Sequence, residues 1–176
     1  MKQKDIDFLM DIAVRAAQDS KAVRLKTGAV VTDSKGNFVA SGYNGTVRGF
    51  HTNVCEKKIY HRSETMSFGT PWVDKTIYPF SDEIIQGDDQ YTDHYRLVTD
   101  ETITIHAEQN MITHAARRGI SIDNGIVVLT HSPCSKCASL LIQCGITEAI
   151  YKEKYRSFDE TNDLYGSYIK LTQYKG

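Results

Sequence analysis

Apolar and polar positions along the chain follow two periods. Ile6, Leu9, Met10, Ala13, Val14 and Ala17 recur every three or four residues, which predicts an amphipathic helix over 5–20 with one face against a sheet. Residues 27–32 and 38–42 are short apolar runs separated by Asp33-Ser34-Lys35-Gly36-Asn37, whose turn-forming residues predict a hairpin. From about 46 to 104 the periodicity fades, and Gly, Pro, aromatics and acids (Asp82, Glu83, Asp88, Asp89, Asp93) mix without pattern. This stretch reads as an insertion in a single domain, 1–176. A structureless loop of that length is unusual in a compact domain, so the insertion is expected to carry structure of its own or to lie against a neighbouring subunit.

Regularity returns at 105–118, a predicted helix stopped by Gly119, followed by the apolar strand 125–130. Pro133 and Cys134 open a second helix, packed by Ala138, Leu140, Leu141 and Ile142 and ended by Gly145 before a strand at 146–151. Strand, helix, strand in this order implies parallel neighbours joined by a right-handed crossover. A short helix at 159–166 and a weak final strand at 168–173 complete an α/β pattern. At 176 residues the chain is long enough for one well-filled core.

Composition narrows the setting. With 40% apolar and 24% charged residues the chain is ordinary for a globular protein. No apolar run approaches the roughly 18 residues of a membrane span, and no secretory leader pattern opens it. A net charge of −1 supplies no field for a long polyanion, so neither tRNA nor genomic DNA is the expected ligand. Local clusters remain: Lys21, Arg24 and Lys26 form one, Arg117 and Arg118 another, and each suits a small phosphorylated ligand or a solvated face. Four cysteines, two of them in a Cys-x-x-Cys, fit a metal site in a reducing compartment better than a disulfide framework, so a cytoplasmic location is expected.

The chemistry lies in two short stretches, His106-Ala107-Glu108 and Pro133-Cys134-Ser135-Lys136-Cys137. One imidazole and two thiolates give Zn²⁺ three protein ligands and leave its fourth position for water, the mark of a catalytic rather than a closed structural site. If each stretch opens its helix, two positive helix ends converge on the metal and favour thiolate over thiol. The three-residue step from Cys134 to Cys137 puts both sulfurs on one side of a turn. Glu108, close but not needed as a ligand, suits a general acid and base that takes a proton from water and returns one to a leaving group. A zinc knuckle that merely staples loops is the rival reading, and it leaves Glu108 idle.

A His, a nearby non-ligand Glu and a later Pro-Cys-x-x-Cys resemble the signature of zinc nucleobase deaminases. More closely, Ser41-Gly42-Tyr43-Asn44-Gly45-Thr46-Val47-Arg48-Gly49 resembles the GYNGxxRG segment of deoxycytidylate (dCMP) deaminases, 105–111 their HAE helix start, and 129–145 their PCxxC helix. The resemblance covers roughly 8–50 and 103–156. It implies a cytidine-deaminase-like, three-layer α/β/α fold with a mixed sheet of about five strands, usually assembled as a homohexamer. It further implies that His106, Cys134 and Cys137 hold one catalytic zinc, that Glu108 moves protons, and that dCMP is hydrolysed to dUMP and ammonia to supply thymidylate synthesis. Asn44 would bind the sugar region, Ala107 would offer its backbone to the base, and Arg117 and Tyr155 stand where related viral enzymes contact the nucleotide. If the source is viral, the compartment is the host cytoplasm. Activation by dCTP with Mg²⁺ and inhibition by dTTP follow from the same resemblance, with Lys21, Arg24 and Lys26 as the candidate allosteric site.

Helical geometry bears on Arg117, which lies about 20° around from His106 and about 16 Å further along the axis, so a side chain leaning back would meet a 5′-phosphate. An ion pair at a surface or between subunits is the alternative. Asn44 is also suited to a left-handed turn, and Tyr155 to an interface. Some phage relatives carry a second zinc on additional cysteines and a histidine, but Ala22 stands where one such cysteine belongs; Cys55 with His51, His61 and His94 could still hold a metal, and without a pattern they read rather as ordinary loop residues. His114, near Arg117 on the same helix face, reads as a packed histidine or as a second polar contact to the nucleotide, and Cys144 reads as core. Among rival functions, a tRNA adenosine deaminase shares HAE and PCxxC but lacks GYNGxxRG, cytidine deaminases usually present Cys at the His106 position, and riboflavin-pathway enzymes space the second cysteine differently. Guanine deamination leaves Arg117 and Tyr155 unexplained. A catalytically silent zinc-fold binding module is the alternative from another class, and the presence of Glu108 argues against it.

Overall fold

The computed structural model describes residues 1–50, 54–62 and 91–176, with the side chains of 58–62 and 91–97 outside that description. In chain order its elements are α1 (Gln3–Gln18), β1 (Gly28–Thr32), β2 (Phe38–Tyr43), β3 (Gly45–Thr46), β4 (Glu56–Arg62), β5 (Tyr91–Thr99), β6 (Thr104–Ile105), α2 (Ala107–Arg117), β7 (Ile126–His131), α3 (Ser135–Gln143), β8 (Glu148–Glu153), α4 (Phe158–Tyr165) and β9 (Lys170–Gln173). They divide into two compact units. One comprises Met1–Ser20, Lys26–Gly45 and Ile105–Gly176, and the other Lys21–Leu25 and Thr46–Thr104.

The first unit is built on a five-stranded sheet in the order β2-β1-β7-β8-β9. β1 runs antiparallel to both β2 and β7, whereas β7, β8 and β9 are mutually parallel, so the sheet is mixed. Parallel neighbours need a crossover, and α3 and α4 supply the two that are required. Strand side chains alternate between faces. Ala29, Val31, Val127, Leu129, Ala149 and Tyr151 share one core with Met111 and Ala115 of α2 and Leu141 of α3. Val30, Val128 and Ile150 share the other with Leu9, Met10 and Ala13 of α1. Helices therefore cover both faces, giving the expected three layers.

Both site helices end by the same device. At the end of α2 the N–H of Ile120 reaches Ala115 O and that of Gly119 reaches Ala116 O; at the end of α3 the N–H of Ile146 reaches Leu141 O and that of Gly145 reaches Ile142 O. Gly119 and Gly145 adopt φ of 65° and 77°, the left-handed conformation this closure needs. Ile146 is thereby used to close α3, which is why β8 starts at Glu148 rather than at the predicted 146. Cys144 packs at the margin of the first core, as its sequence setting predicts.

In the second unit β4 pairs antiparallel with β5, from Glu56 opposite Thr99 to Arg62 opposite Tyr91. Glu56 is buried, and its Oε1 accepts the N–H groups of Val23 and Arg24, each at 2.9 Å. Cys55 is fully buried, and its carbonyl accepts from the Asp100 N–H and the Thr104 hydroxyl. His51, the acids at 82, 83, 88 and 89, and the side chains of His61, Asp93 and His94 lie outside the described residues. Among the described residues, no helix is long and apolar enough to cross a membrane.

Candidate metal centre and active site

Two helix starts meet at the margin of the first core. His106 is the N-cap of α2 and Cys134 the N-cap of α3, both in extended backbone conformation, while Cys137 lies in the first turn of α3. Their carbonyls begin the helices: His106 O accepts from Asn110 N–H at 3.0 Å and Cys134 O from Ala138 N–H at 2.8 Å. The N-cap geometry turns each side chain back over its first turn, and the two helices are aimed so that these side chains converge. His106 Nδ1 lies 3.6 Å from Cys134 Sγ and 3.4 Å from Cys137 Sγ. All three donor atoms fall within 4.8 Å of one another.

These separations fit zinc. Bond lengths of about 2.3 Å to sulfur and about 2.05 Å to nitrogen at a tetrahedral angle place S and N about 3.6 Å apart. Electrostatics agree. The Cys134 thiol is held down to about 4, chiefly because the Cys137 thiol donates to its sulfur and His106 adds a second bond against the cost of burial. Cys137 is pushed up by that same coupling and by its burial. The coupling thus favours one thiolate in the pair, and a second is favoured beside a compensating positive charge. A divalent soft metal is the group that supplies it.

Glu108 follows in the first turn of α2 and is only 7% exposed. Burial raises its pKa, opposed chiefly by its own backbone N–H and by His106. The carboxyl therefore lies against the donor set without being one of the three donors. It can hold or release a proton there, which is the property a proton carrier needs.

The remaining predicted residues take definite places. Asn44 follows β2; its N–H donates to Thr27 O at 3.2 Å and its Oδ1 accepts from the Thr27 N–H at 2.8 Å, which fixes the orientation of the amide. Ala107, 1% exposed, is the first residue of α2, and its carbonyl abuts Gly42, where any Cβ would collide with it. Tyr155 lies between β8 and α4, its N–H donating to Ser132 Oγ at 2.8 Å. Arg117 ends α2 and is exposed. Lys21 and Arg24 belong to the second unit and Lys26 to the first; all three are exposed.

Three supporting residues escape a motif search. Gln109 Oε1 accepts the His106 N–H at 2.8 Å, the reciprocal half of a capping box, and the His-x-x-Gln spacing is the signal that marks it. Ser132, 3% exposed, bonds both ways across the top of the sheet: its N–H donates to Glu153 O and its hydroxyl accepts from Tyr155, tying the Tyr155 loop to the Cys134 loop. Thr161, fully buried in α4, lies 3.2 Å from Ser135 Oγ at the start of α3. His114, read from sequence as packed, also carries a specific bond, Nδ1 to Ser41 O at 2.8 Å.

Comparison with known proteins agrees with this geometry. The deoxycytidylate deaminase of Enterobacteria phage T2 is 31% identical over 161 residues, covering 84% of this chain and 79% of its own length. That of phage T4 is 30% identical over 162 residues, covering 84% and 77%. Among solved structures, the dCMP deaminase of cyanophage S-TIM5 in complex with dCMP and dUMP superposes with a TM-score of 0.68 at 26% identity over 99% of each chain. The family model for the cytidine and deoxycytidylate deaminase zinc-binding region matches residues 3–153, which take in every element from α1 to β8 and both helix starts. The chain belongs to the cytidine and deoxycytidylate deaminase family of zinc-binding enzymes.

Proposed function

We propose that this chain hydrolyses dCMP to dUMP and ammonia. The observation that carries the reading is the open three-donor set with a buried, non-ligand carboxyl against it: His106, Cys134, Cys137 and Glu108. The relatives named above as deoxycytidylate deaminases, and the S-TIM5 enzyme solved with dCMP and dUMP, support the choice of nucleotide. Zinc held by the three donors supplies Lewis acidity that brings the pKa of a water toward about 7. Glu108 takes a proton from the attacking water and places it on N3 as the C4–O bond forms. It then takes the proton of the new C4 hydroxyl and passes it to the exocyclic amine as the C4–N bond breaks and the C4 carbonyl forms, so ammonia leaves and the carboxylate is regenerated.

Asn44, its amide oriented by the bond from the Thr27 N–H, contacts the sugar region. Ala107 offers backbone to the base, and Arg117 and Tyr155 hold the 5′-phosphate. Regulation is part of the proposal: dCTP with Mg²⁺ activates and dTTP inhibits through Lys21, Arg24 and Lys26 in a homohexamer. Each effector would shift an equilibrium between conformations by its differential affinity for them.

The test is ammonia release from dCMP, CMP, deoxycytidine, dCTP and guanine at matched concentrations, using protein with one zinc per chain. A clear preference for dCMP is expected. Equal rates on deoxycytidine would remove the phosphate contacts, and silence on all five would move the reading to a macromolecular substrate or a silent zinc fold. Hyperbolic dCMP kinetics indifferent to dCTP and dTTP would remove the regulatory part alone.

A further inference from the structure

β2 is an edge strand of the five-stranded sheet, and half of its backbone polar groups face away from β1. Three side chains of the α2 segment reach those outward carbonyls in sequence. Asn110 Nδ2 donates to Tyr43 O at 2.7 Å, His114 Nδ1 to Ser41 O at 2.8 Å, and an Arg118 guanidinium N–H to Val39 O at 3.3 Å. The donors are four residues apart along the helix, the acceptors two apart along the strand, and the two run in opposite directions. The match is metric: four helical residues advance about 6 Å and two strand residues about 6.8 Å. Beside this ladder, Gly42 lets the strand into direct contact with the backbone of Ala107 and Met111, where no side chain fits.

These contacts join the two halves of the site. α2 begins with His106 and Glu108, while β2 runs directly into Asn44. Apolar packing sets the distance between a helix and a strand but only weakly resists sliding, whereas short directional bonds resist it. We infer that Asn110, His114 and Arg118 are positioning residues: their ladder to Tyr43, Ser41 and Val39 fixes the register between the proton-carrying end of α2 and the sugar-binding end of β2. The inference rests on the dCMP reading for Asn44 and on the observed bonds for the ladder.

The experiment compares zinc-loaded wild type with His114→Leu, His114→Gln, Asn110→Ala and the double variant N110A/H114L. Measurements are zinc content, melting temperature, kcat and KM for dCMP, and amide hydrogen exchange of residues 38–44. The double variant should keep one zinc per chain, raise KM about tenfold or more with a smaller change in kcat, and exchange faster at 38–44. His114→Gln retains a donor and should restore KM, which His114→Leu does not. A purely structural contact would lower the melting temperature of both His114 variants without separating KM from kcat. That result, or unchanged KM in a zinc-loaded double variant, overturns the register role. If the double variant fails to fold, Asn110→Ala alone decides by the same KM criterion. A zinc-loaded wild type that leaves dCMP untouched would overturn the functional reading and the register role together, and is distinguished by requiring no variant at all.

Discussion

The two faces of the sheet are closed by helices in different ways. On one, Leu9, Met10 and Ala13 of α1 lie on Val30, Val128 and Ile150, and Gly28 admits the helix backbone at Ala13 and Ala17. On the other, Met111 and Ala115 of α2 lie on Ala29, Val31 and Leu129, and Gly42 admits the backbone at Ala107 and Met111. Up to this point the faces are alike. The α1 face carries a polar tie from the Tyr174 hydroxyl to Asp7 Oδ1 at 2.9 Å, while the α2 face carries its directional bonds along the metal-bearing helix: Gln109 to the His106 N–H, and Asn110 and His114 to the edge of β2. Apolar burial is non-directional and is enough to attach a helix. Where donors must meet within a fraction of an ångström, polar ties are added to the same packing.

The largest contrast between the faces should appear on removing the proton carrier. Glu108→Gln keeps the size of the side chain and takes away its proton chemistry, so dCMP turnover should fall about 10²–10⁴-fold with zinc content and melting temperature retained. Near-native turnover in a zinc-loaded variant would end the assignment of Glu108. Cys134→Ser comes next. It removes one of three metal donors, and because metal binding is linked to folding, zinc and melting temperature should fall together, with a chelator then adding nothing further. A Cys134→Ser protein with full zinc and unchanged melting would show that the site does not depend on that sulfur.

The paired glycines sharpen the comparison. A Cβ at Gly28 meets the Ala13 carbonyl, and one at Gly42 meets the Ala107 carbonyl, so each alanine substitution forces backbone apart. Both variants should lose about 1–3 kcal/mol of stability by overpacking. Only Gly42→Ala displaces the first turn of α2, so only it should also lower kcat/KM on dCMP in zinc-loaded protein. Equal losses of activity in both would mean that position on the α2 face is no more critical than on the α1 face.

Much of this is legible in the amino-acid sequence. Periodicity marks α1, α2 and α3 because each has one buried stripe, and the apolar run 125–130 marks the strand found at Ile126–His131, buried on both faces. The metal donors were legible because a divalent ion needs particular residue types at fixed local spacing on helix starts. What the sequence left unread is of two kinds. The insertion carries β4 and β5, whose pairing joins Glu56 with Thr99 and has no local signature. The bonds from Asn110 and His114 to Tyr43 and Ser41 link residues far apart in the chain, and a helix period alone does not say which strand it will face. Hence His114 reads from sequence as packing, although its ring also makes a specific polar contact.

The smallest effect is expected at the opposite margin of the sheet, where β9 is the other edge strand. There the side-chain ties turn inward to β8: Glu148 Oε1 accepts from Thr172 Oγ1 at 2.7 Å and pairs with Lys170 Nζ at 2.9 Å. Burial raises the Glu148 pKa, but the bonds from Thr172 and Lys170 together outweigh it and leave the carboxyl below its ordinary value. A carboxyl with a depressed folded-state pKa stabilises the native state above its unfolded pKa, and that contribution is lost as pH falls through the folded value. Lys170 is 69% exposed, so the ion pair is largely screened and worth at most about 1 kcal/mol. Glu148→Gln should therefore melt slightly below wild type at pH 6–7, and the gap should close as pH drops below about 4.5. No loss of dCMP turnover is expected, since neither β8, which carries Glu148, nor β9 carries a residue assigned to the reaction. A melting difference that stayed constant down to pH 3 would show that Glu148 acts through shape and neutral hydrogen bonding rather than through its charge.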